Sequence, residues 1–255
     1  MRRARRPTVA IAGLGLVGGS LARALSRAGY RVIGLDRPPV LRRARRARAI
    51  AASAPSLREG VREADVLVLA APPRVNLALL REAARVAPRG LVITDVGSVK
   101  QPIVAEAGRL GLLEFVGGHP LAGTERSGFA ASSARLFAGR AWVLTPGSGH
   151  PRAARVVARL ARDAGATPIR LRPAEHDRAV AFLSHLPQLV SWALLDALRS
   201  DPIAARHRRI AGPGFRDMTR LARSPRALWR QILAQNRSEV RRALAAFTRA
   251  LRPRA

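Results

Sequence analysis

Residues 8–18 read TVAIAGLGLVG, five β-branched or small apolar residues followed by glycines at Gly13, Gly15 and Gly18. The first five have the length and composition of a buried strand. The glycines fit G-x-G-x-x-G, and the context is right: a helical pattern runs from Ser20 to Arg27, and a second strand-like run, Arg31 to Leu35, ends in Asp36. Gly13 would make the tight turn, Gly15 would let the backbone approach a pyrophosphate, and Gly18 would bring helix and strand together. Leu14, Leu16 and Val17 complete a loop that places the phosphates on a helix N-terminus. Asp36 lies about 20 residues further on, where a carboxylate accepts from the ribose hydroxyls. Its charge repels a 2′-phosphate, so NAD is expected over NADP. Arg37 follows directly, able to stack on adenine or meet a 2′-phosphate, which leaves NADP open. Ala71 and Pro72, just after a third strand, suit the nicotinamide–ribose half.

Outward from this motif, strand-like runs recur at residues 66–70, 91–94, 115–116 and 141–144, with helical segments between. Strands alternating with helices predict a parallel sheet covered on both faces. The expected fold class is α/β: a Rossmann-type, mostly parallel domain over residues 1–172, then an all-helical domain over 173–255. The cluster Pro146-Gly147-Ser148-Gly149 reads as a hinge, with a helix from Pro151 to Asp163 and a strand from Thr167 to Leu171 after it. Residues 174–198 predict nearly continuous helix, apolar on most sides as in a buried helix, with Pro187 kinking or dividing it. Residues 226–251 predict one or two amphipathic helices. The long apolar helix needs a partner surface, and a second copy of the chain is the simplest supplier, so a homodimer is expected.

Composition narrows the function classes. The 255 residues contain no cysteine, which excludes disulfides and thiolate chemistry. No apolar run approaches the roughly 18–20 residues of a membrane span. The basic N-terminus runs straight into the first strand without a signal-peptide pattern, so a cytoplasmic protein with no membrane role is expected. The net charge of +30 invites a nucleic-acid reading. Against it, Lys100 is the only lysine, the arginines are scattered, and aromatics are 4% of the chain, a poor supply for base stacking. No specific nucleic-acid partner is expected.

Three segments carry chemistry: TDVGSVK at 94–100, GGHPLAGTERSGF at 117–129, and GPGFRDMTR at 212–220. Together with GLGLVGGSLA and the EHD…SHLP stretch at 175–187, in this order, they resemble the prephenate/arogenate dehydrogenase family of tyrosine biosynthesis, over residues 8–237. The resemblance implies oxidative decarboxylation of a cyclohexadienol with NAD(P)+, and a Rossmann domain followed by a helical dimerisation domain. It implies His119 as the group that takes the hydroxyl proton, a task that suits an imidazole with an unperturbed pKa of about 6.5. It implies Ser98 beside it, and Arg220 pairing bidentately with a substrate carboxylate. Arg216, Thr124, Glu125 and Trp229 are further pocket candidates, and no metal is called for. Many family members carry a second histidine after SHLP; here the residue is Gln188, and its neutrality tilts the expectation toward prephenate over arogenate. His185 reads as structural or functional, His176 as a helix-start residue contacting the other domain, and His150 and His207 as solvent-exposed. A chain ending at Ala255 implies neither a C-terminal regulatory domain nor a fused mutase. A related β-hydroxyacid dehydrogenase is the competing enzyme class, but it would need a lysine from the helical domain, which this sequence lacks. A dinucleotide-binding regulator would not need His119, Ser98 and Arg220 together.

Overall fold

The computed structural model describes residues 6–146 and 151–251. They form two compact units, Met1–His176 and Asp177–Ala255. The residues 147–149 of the expected hinge, and His150, lie outside the described residues.

The first unit is built on an eight-stranded sheet of order β3-β2-β1-β4-β5-β6-β7-β8. The strands are β1 (Thr8–Ala12), β2 (Arg31–Leu35), β3 (Ala52–Ser53), β4 (Val66–Leu69), β5 (Val92–Asp95), β6 (Phe115–Pro120), β7 (Ala141–Pro146) and β8 (Thr167–Arg170). The six from β1 to β6 are parallel, β7 runs antiparallel to β6, and β8 is parallel to β7. Alternate residues of the central strands supply two cores. Val9, Ile11, Val66 and Val68 face one, Ala10, Ala12, Leu67 and Leu69 the other, which is why these strands read as unbroken apolar runs. Helices α1 (Leu16–Arg27) and α6 (Pro151–Asp163) cover the first face with Leu21, Leu25, Val157 and Leu160. Helices α3 (Leu57–Arg62), α4 (Pro73–Val86) and α5 (Gln101–Arg109) cover the second. The arginine run at 42–48 lies on and just after α2 (Pro38–Arg46), where only Ala44 is buried within the helix.

Several expectations needed correction. Helix α1 begins at Leu16, not Ser20, because the glycine loop itself forms its first turn. Strand β3 is two residues long, too short for any periodic signal. Strand β6 does not stop at Val116: the glycines that look like a turn continue it, and Gly118, His119 and Pro120 pair with Leu144, Val143 and Trp142 of β7.

From Pro173 the chain is helical, but not uniformly. Helix α7 (Pro173–Val180) passes into a π-helical turn (Ala181–His185) and then α8 (Leu186–Ser200). The wide turn lies just ahead of Pro187, where a proline ring and its missing N–H disturb the regular ladder, and it absorbs that disturbance without breaking the helix. Nor is the segment buried all round: Leu183 is 79% exposed. The second unit's own core is small, Ala181, Val240 and Ala243 with Leu186, Leu189 and Leu233 against them. Helices α9 (Pro202–Arg206), α10 (Pro213–Thr219), α11 (Arg226–Gln235) and α12 (Arg237–Leu251) complete it, and a 3-10 turn (Arg220–Arg223) follows α10.

One polar fastening holds α6 to the sheet. The Tyr30 hydroxyl donates to Asp163 Oδ2 at 2.5 Å, and Arg6 Nη1 reaches the same oxygen at 3.0 Å. Burial, then the hydrogen bond to Asp163, pushes the Tyr30 hydroxyl up to about 12. Because the folded value lies above the unfolded one of about 10, this contribution to stability is complete below pH 10 and lost as pH climbs through 12. Tyr30 is the only tyrosine, so phenolate absorbance follows it alone. Its midpoint should fall near 12 in the folded protein and near 10 in denaturant; coincident midpoints would refute the fastening.

Candidate active site

The three glycines of the first loop do different work. Gly13 has φ +98°, and a Cβ there would stand 2.7 Å from the Ala70 carbonyl carbon and oxygen. A Cβ on Gly18 would lie 2.0 Å from the Gly13 oxygen. Both are therefore needed by the protein's own packing. Gly15 is different: a Cβ there would meet nothing within 4 Å. Its bare backbone faces open space at the N-terminus of α1, which has no side-chain cap and no acidic residue in its first turn. That arrangement fits the phosphates of a dinucleotide, which the N–H groups and the helix dipole would hold. Leu16 and Val17 form the helix's first turn. Leu14 is fully buried, and its N–H donates to Asp36 Oδ2 at 2.6 Å. Asp36 Oδ1 accepts from Arg37 N at 2.7 Å. Asp36 thus latches the loop to the end of β2. Arg37 is exposed and precedes α2.

Ala71 and exposed Pro72 are shaped by a residue that motif reasoning missed. Asn76, buried in the first turn of α4, accepts from Ala71 N at 2.9 Å and donates to Leu69 O at 3.3 Å. The signal was an asparagine just inside a proline-started helix, where its amide can serve backbone groups.

The loop after β5 is organised by a buried ion pair. Lys100 Nζ contacts Asp95 Oδ2 with both side chains essentially inaccessible, and donates to Gly118 O at 2.7 Å. Asp95 also accepts from Gly97 N at 2.8 Å and Gly118 N at 3.1 Å. The pair therefore grips both backbone groups of the residue before His119. Gly117 and Gly118 give it room: a Cβ on Gly118 would lie 2.5 Å from Asp95 O, and one on Gly117 would lie 2.3 Å from Thr145 Oγ1. Removing one partner of such a pair costs about 3–5 kcal/mol. Ser98, between Asp95 and Lys100, is half-buried and makes no side-chain hydrogen bond among the described residues.

His119 sits near the end of β6, only 9% exposed. Its Nδ1 lies 2.8 Å from Nε2 of His176, which is fully buried on α7 and belongs to the same compact unit. From sequence, His176 reads as a helix-start residue reaching the preceding domain, without His119 named as its partner. Thr124 and Glu125, by contrast, lie in an exposed loop, where Thr124 Oγ1 accepts from Arg126 N at 3.2 Å.

The remaining candidates belong to the second unit. Gln188 is buried, and its Nε2 donates to Leu221 O at 2.9 Å. Trp192 Nε1 donates to Ala222 O at 3.3 Å. Together they anchor the 3-10 turn that Arg220 begins, so Gln188 holds the turn rather than presenting a second imidazole. Arg216 and Arg220 are exposed. Trp229 is half-buried, edge-on to His185 at 5.9 Å and to Trp192 at 6.4 Å between ring centroids. Asn236 Nδ2 bonds Asp177 O at 2.7 Å and lies 3.2 Å from His185 Nδ1. His185 therefore has a place in the unit's buried polar network, while His207 is exposed.

A bare-backbone loop of this kind, after the first strand of a doubly wound sheet, marks the NAD-binding class of proteins. Comparison with known families narrows the class. The family model "Prephenate dehydrogenase, nucleotide-binding domain" matches residues 21–169, and "Prephenate dehydrogenase, dimerization domain" matches residues 172–253. The chain belongs to the prephenate dehydrogenase family. It is 36% identical over 243 residues to prephenate dehydrogenase of Bacillus subtilis, covering 92% of this chain but 66% of that protein's length. A solved prephenate dehydrogenase from A. aeolicus, in complex with hydroxyphenyl propionate and NAD+, matches with TM-score 0.89 and 30% identity, over 99% of this chain and 90% of the other. Synechocystis arogenate dehydrogenase matches with TM-score 0.84 and 29% identity, over 96% and 90%. Among the described residues, no helix is long and apolar enough to cross a membrane.

The glycine loop yields a paired prediction. Gly15→Ala should leave the melting temperature nearly unchanged yet weaken NAD+ binding at least about tenfold, because it fills only ligand space. Gly18→Ala should destabilise the fold by about 1–3 kcal/mol through overpacking. Calorimetric melting and NAD+ titration separate the two, and a Gly15→Ala protein that binds NAD+ normally would move the dinucleotide elsewhere.

Proposed function

We propose that this protein catalyses the NAD-dependent oxidative decarboxylation of prephenate to 4-hydroxyphenylpyruvate. The observation that carries the reading is the burial of His119 near the end of β6, directly after Gly118, whose backbone N–H and carbonyl are held by the Asp95–Lys100 pair that flanks half-buried Ser98 in sequence. The bound dinucleotide would accept the hydride from the ring carbinol. His119 takes the hydroxyl proton, and Ser98 hydrogen-bonds the same hydroxyl and keeps it aimed at the imidazole. As the carbinol becomes a carbonyl, the bond from the ring to its carboxylate breaks. Its electron pair aromatises the ring, CO2 departs, and the resulting phenolate oxygen recovers the proton from His119. Aromatisation drives the step, so no metal is required.

Arg220 is assigned to a substrate carboxylate, with Arg216, Thr124, Glu125 and Trp229 as secondary contacts and Gln188 acting through the turn that carries Arg220. Residues 1–172 are assigned to the dinucleotide and 173–255 to substrate and subunit contact. Asp36 favours NAD over NADP by repelling a 2′-phosphate. Apart from the exposed Glu125, the assigned substrate contacts include no carboxylate to meet the ammonium group of arogenate, which favours prephenate. A homodimer through the second unit is supported by its match to the dimerization-domain model and by exposed Leu183, Ile203, Ile210 and Met218. A cytoplasmic location accords with a biosynthetic role.

The test is NADH or NADPH formation with prephenate and with arogenate, each offered NAD+ and NADP+. Prephenate with NAD+ should be the best pair; no turnover with any pair would end the proposal. His119→Asn should abolish turnover while NAD+ still binds. Arg220→Gln should raise KM for the substrate about tenfold or more, the loss of a charge-assisted pair.

A further inference from the structure

We propose that His176 is the positioning residue for His119, holding it in the one tautomer that can take a proton at Nε2. The inference rests on the proposed role of His119 as proton acceptor. The two rings meet edge-on, with an interplanar angle of 77° and centroids 5.1 Å apart, and the contact joins Nδ1 of His119 to Nε2 of His176 at 2.8 Å. Two ring nitrogens at this distance share one proton, so one must donate and the other accept. If His176 donates, His119 Nδ1 holds the lone pair and the ring's own proton sits on Nε2. The imidazole then has no basic nitrogen left to face a substrate. If His119 donates, its lone pair is on Nε2, and the proton of neutral His176 is on Nδ1. Only the second arrangement makes a base.

The geometry also favours the charge that forms during the step. When His119 becomes an imidazolium, its Nδ1–H turns into a cationic donor, and such bonds are roughly twice as strong as neutral ones. His176 thus plays the orienting part that a buried carboxylate plays in other base-and-orienter pairs, without adding a charge. Its own place is well determined: the ring is fully buried, and its backbone N–H donates to Arg172 O at 2.9 Å. The other charged groups on the elements involved are the mutually neutralising Asp95 and Lys100 against Gly118, Glu175 paired with Arg172 at 2.7 Å, and Asp177 and Arg178 on α7.

Three measurements on the full-length protein decide the matter. Long-range 1H–15N spectra of the histidine rings at pH 8 should place the His119 proton on Nδ1 in the wild type. His176→Phe should shift that proton toward Nε2 and lower kcat at least about tenfold, with KM for NAD+ and prephenate within about threefold. His176→Gln, whose carbonyl can accept from Nδ1–H, should recover kcat to within about fivefold of wild type. Wild-type kcat in His176→Phe, or a His119 proton on Nε2 in the wild type, would overturn the proposal. If His176→Phe does not fold, a folded but inactive His176→Gln would overturn it equally. His119→Asn separates this idea from the one beneath it. An active His119→Asn enzyme removes the base, whereas an inactive one alongside an unimpaired His176→Phe removes only the role of His176.

Discussion

The contact on which the site depends is the buried ion pair of Asp95 and Lys100. It joins the loop after β5 to the backbone of Gly118, one residue before His119. Two charges out of water are costly unless geometry and extra hydrogen bonds compensate, and here Gly97 N, Gly118 N and Gly118 O supply those bonds. The chain's basic residues are otherwise all arginine. The exception has a physical reason, since Lys100 is fully enclosed, and even a Cβ on Gly117 would lie 3.3 Å from its Cδ. A compact ammonium on a flexible stem fits that space, and a planar guanidinium would not. The global drift of composition toward arginine stops where packing forbids it.

The sheet then does the assembling. Strands β1, β2, β4, β5 and β6 run parallel, so the loops after their carboxyl ends lie along one edge, the edge where open α/β sheets bind ligands. Gly13, Asp36, Ala71 and the Asp95–Lys100 loop follow those ends, and His119 lies near the end of β6 itself. Reversal at β7 makes the far side of β6 a paired strand rather than an open edge, and places His119 opposite Val143 in that ladder.

Much of this was legible from residue order. The glycine loop, the apolar central strands and the acidic end of β2 each follow from local rules, and the structure adds only what each glycine avoids. Parts that depend on distant pairing were not legible. His176 lies 57 positions from His119, and no periodicity links them. Asn76 and Lys100 act through the backbone groups of Ala71, Leu69 and Gly118, partners that no local pattern names. The strand-like run seen at 115–116 stopped short because glycines and proline usually end a strand, whereas here the glycines make room for the Asp95 loop and the strand continues to Pro120. The long helix after Pro173 read as buried against a second copy of the chain, and its own unit indeed leaves Leu183 exposed.

In the proposed reaction, oxidation of the carbinol and loss of CO2 form one coupled event. Stoichiometry tests it most directly, by measuring NADH and CO2 released from prephenate in the same reaction. Equal amounts of both, in step throughout the time course, are the predicted result. NADH without matching CO2 would reveal a simple carbinol dehydrogenase and contradict the account, as would CO2 released without reduction of NAD+.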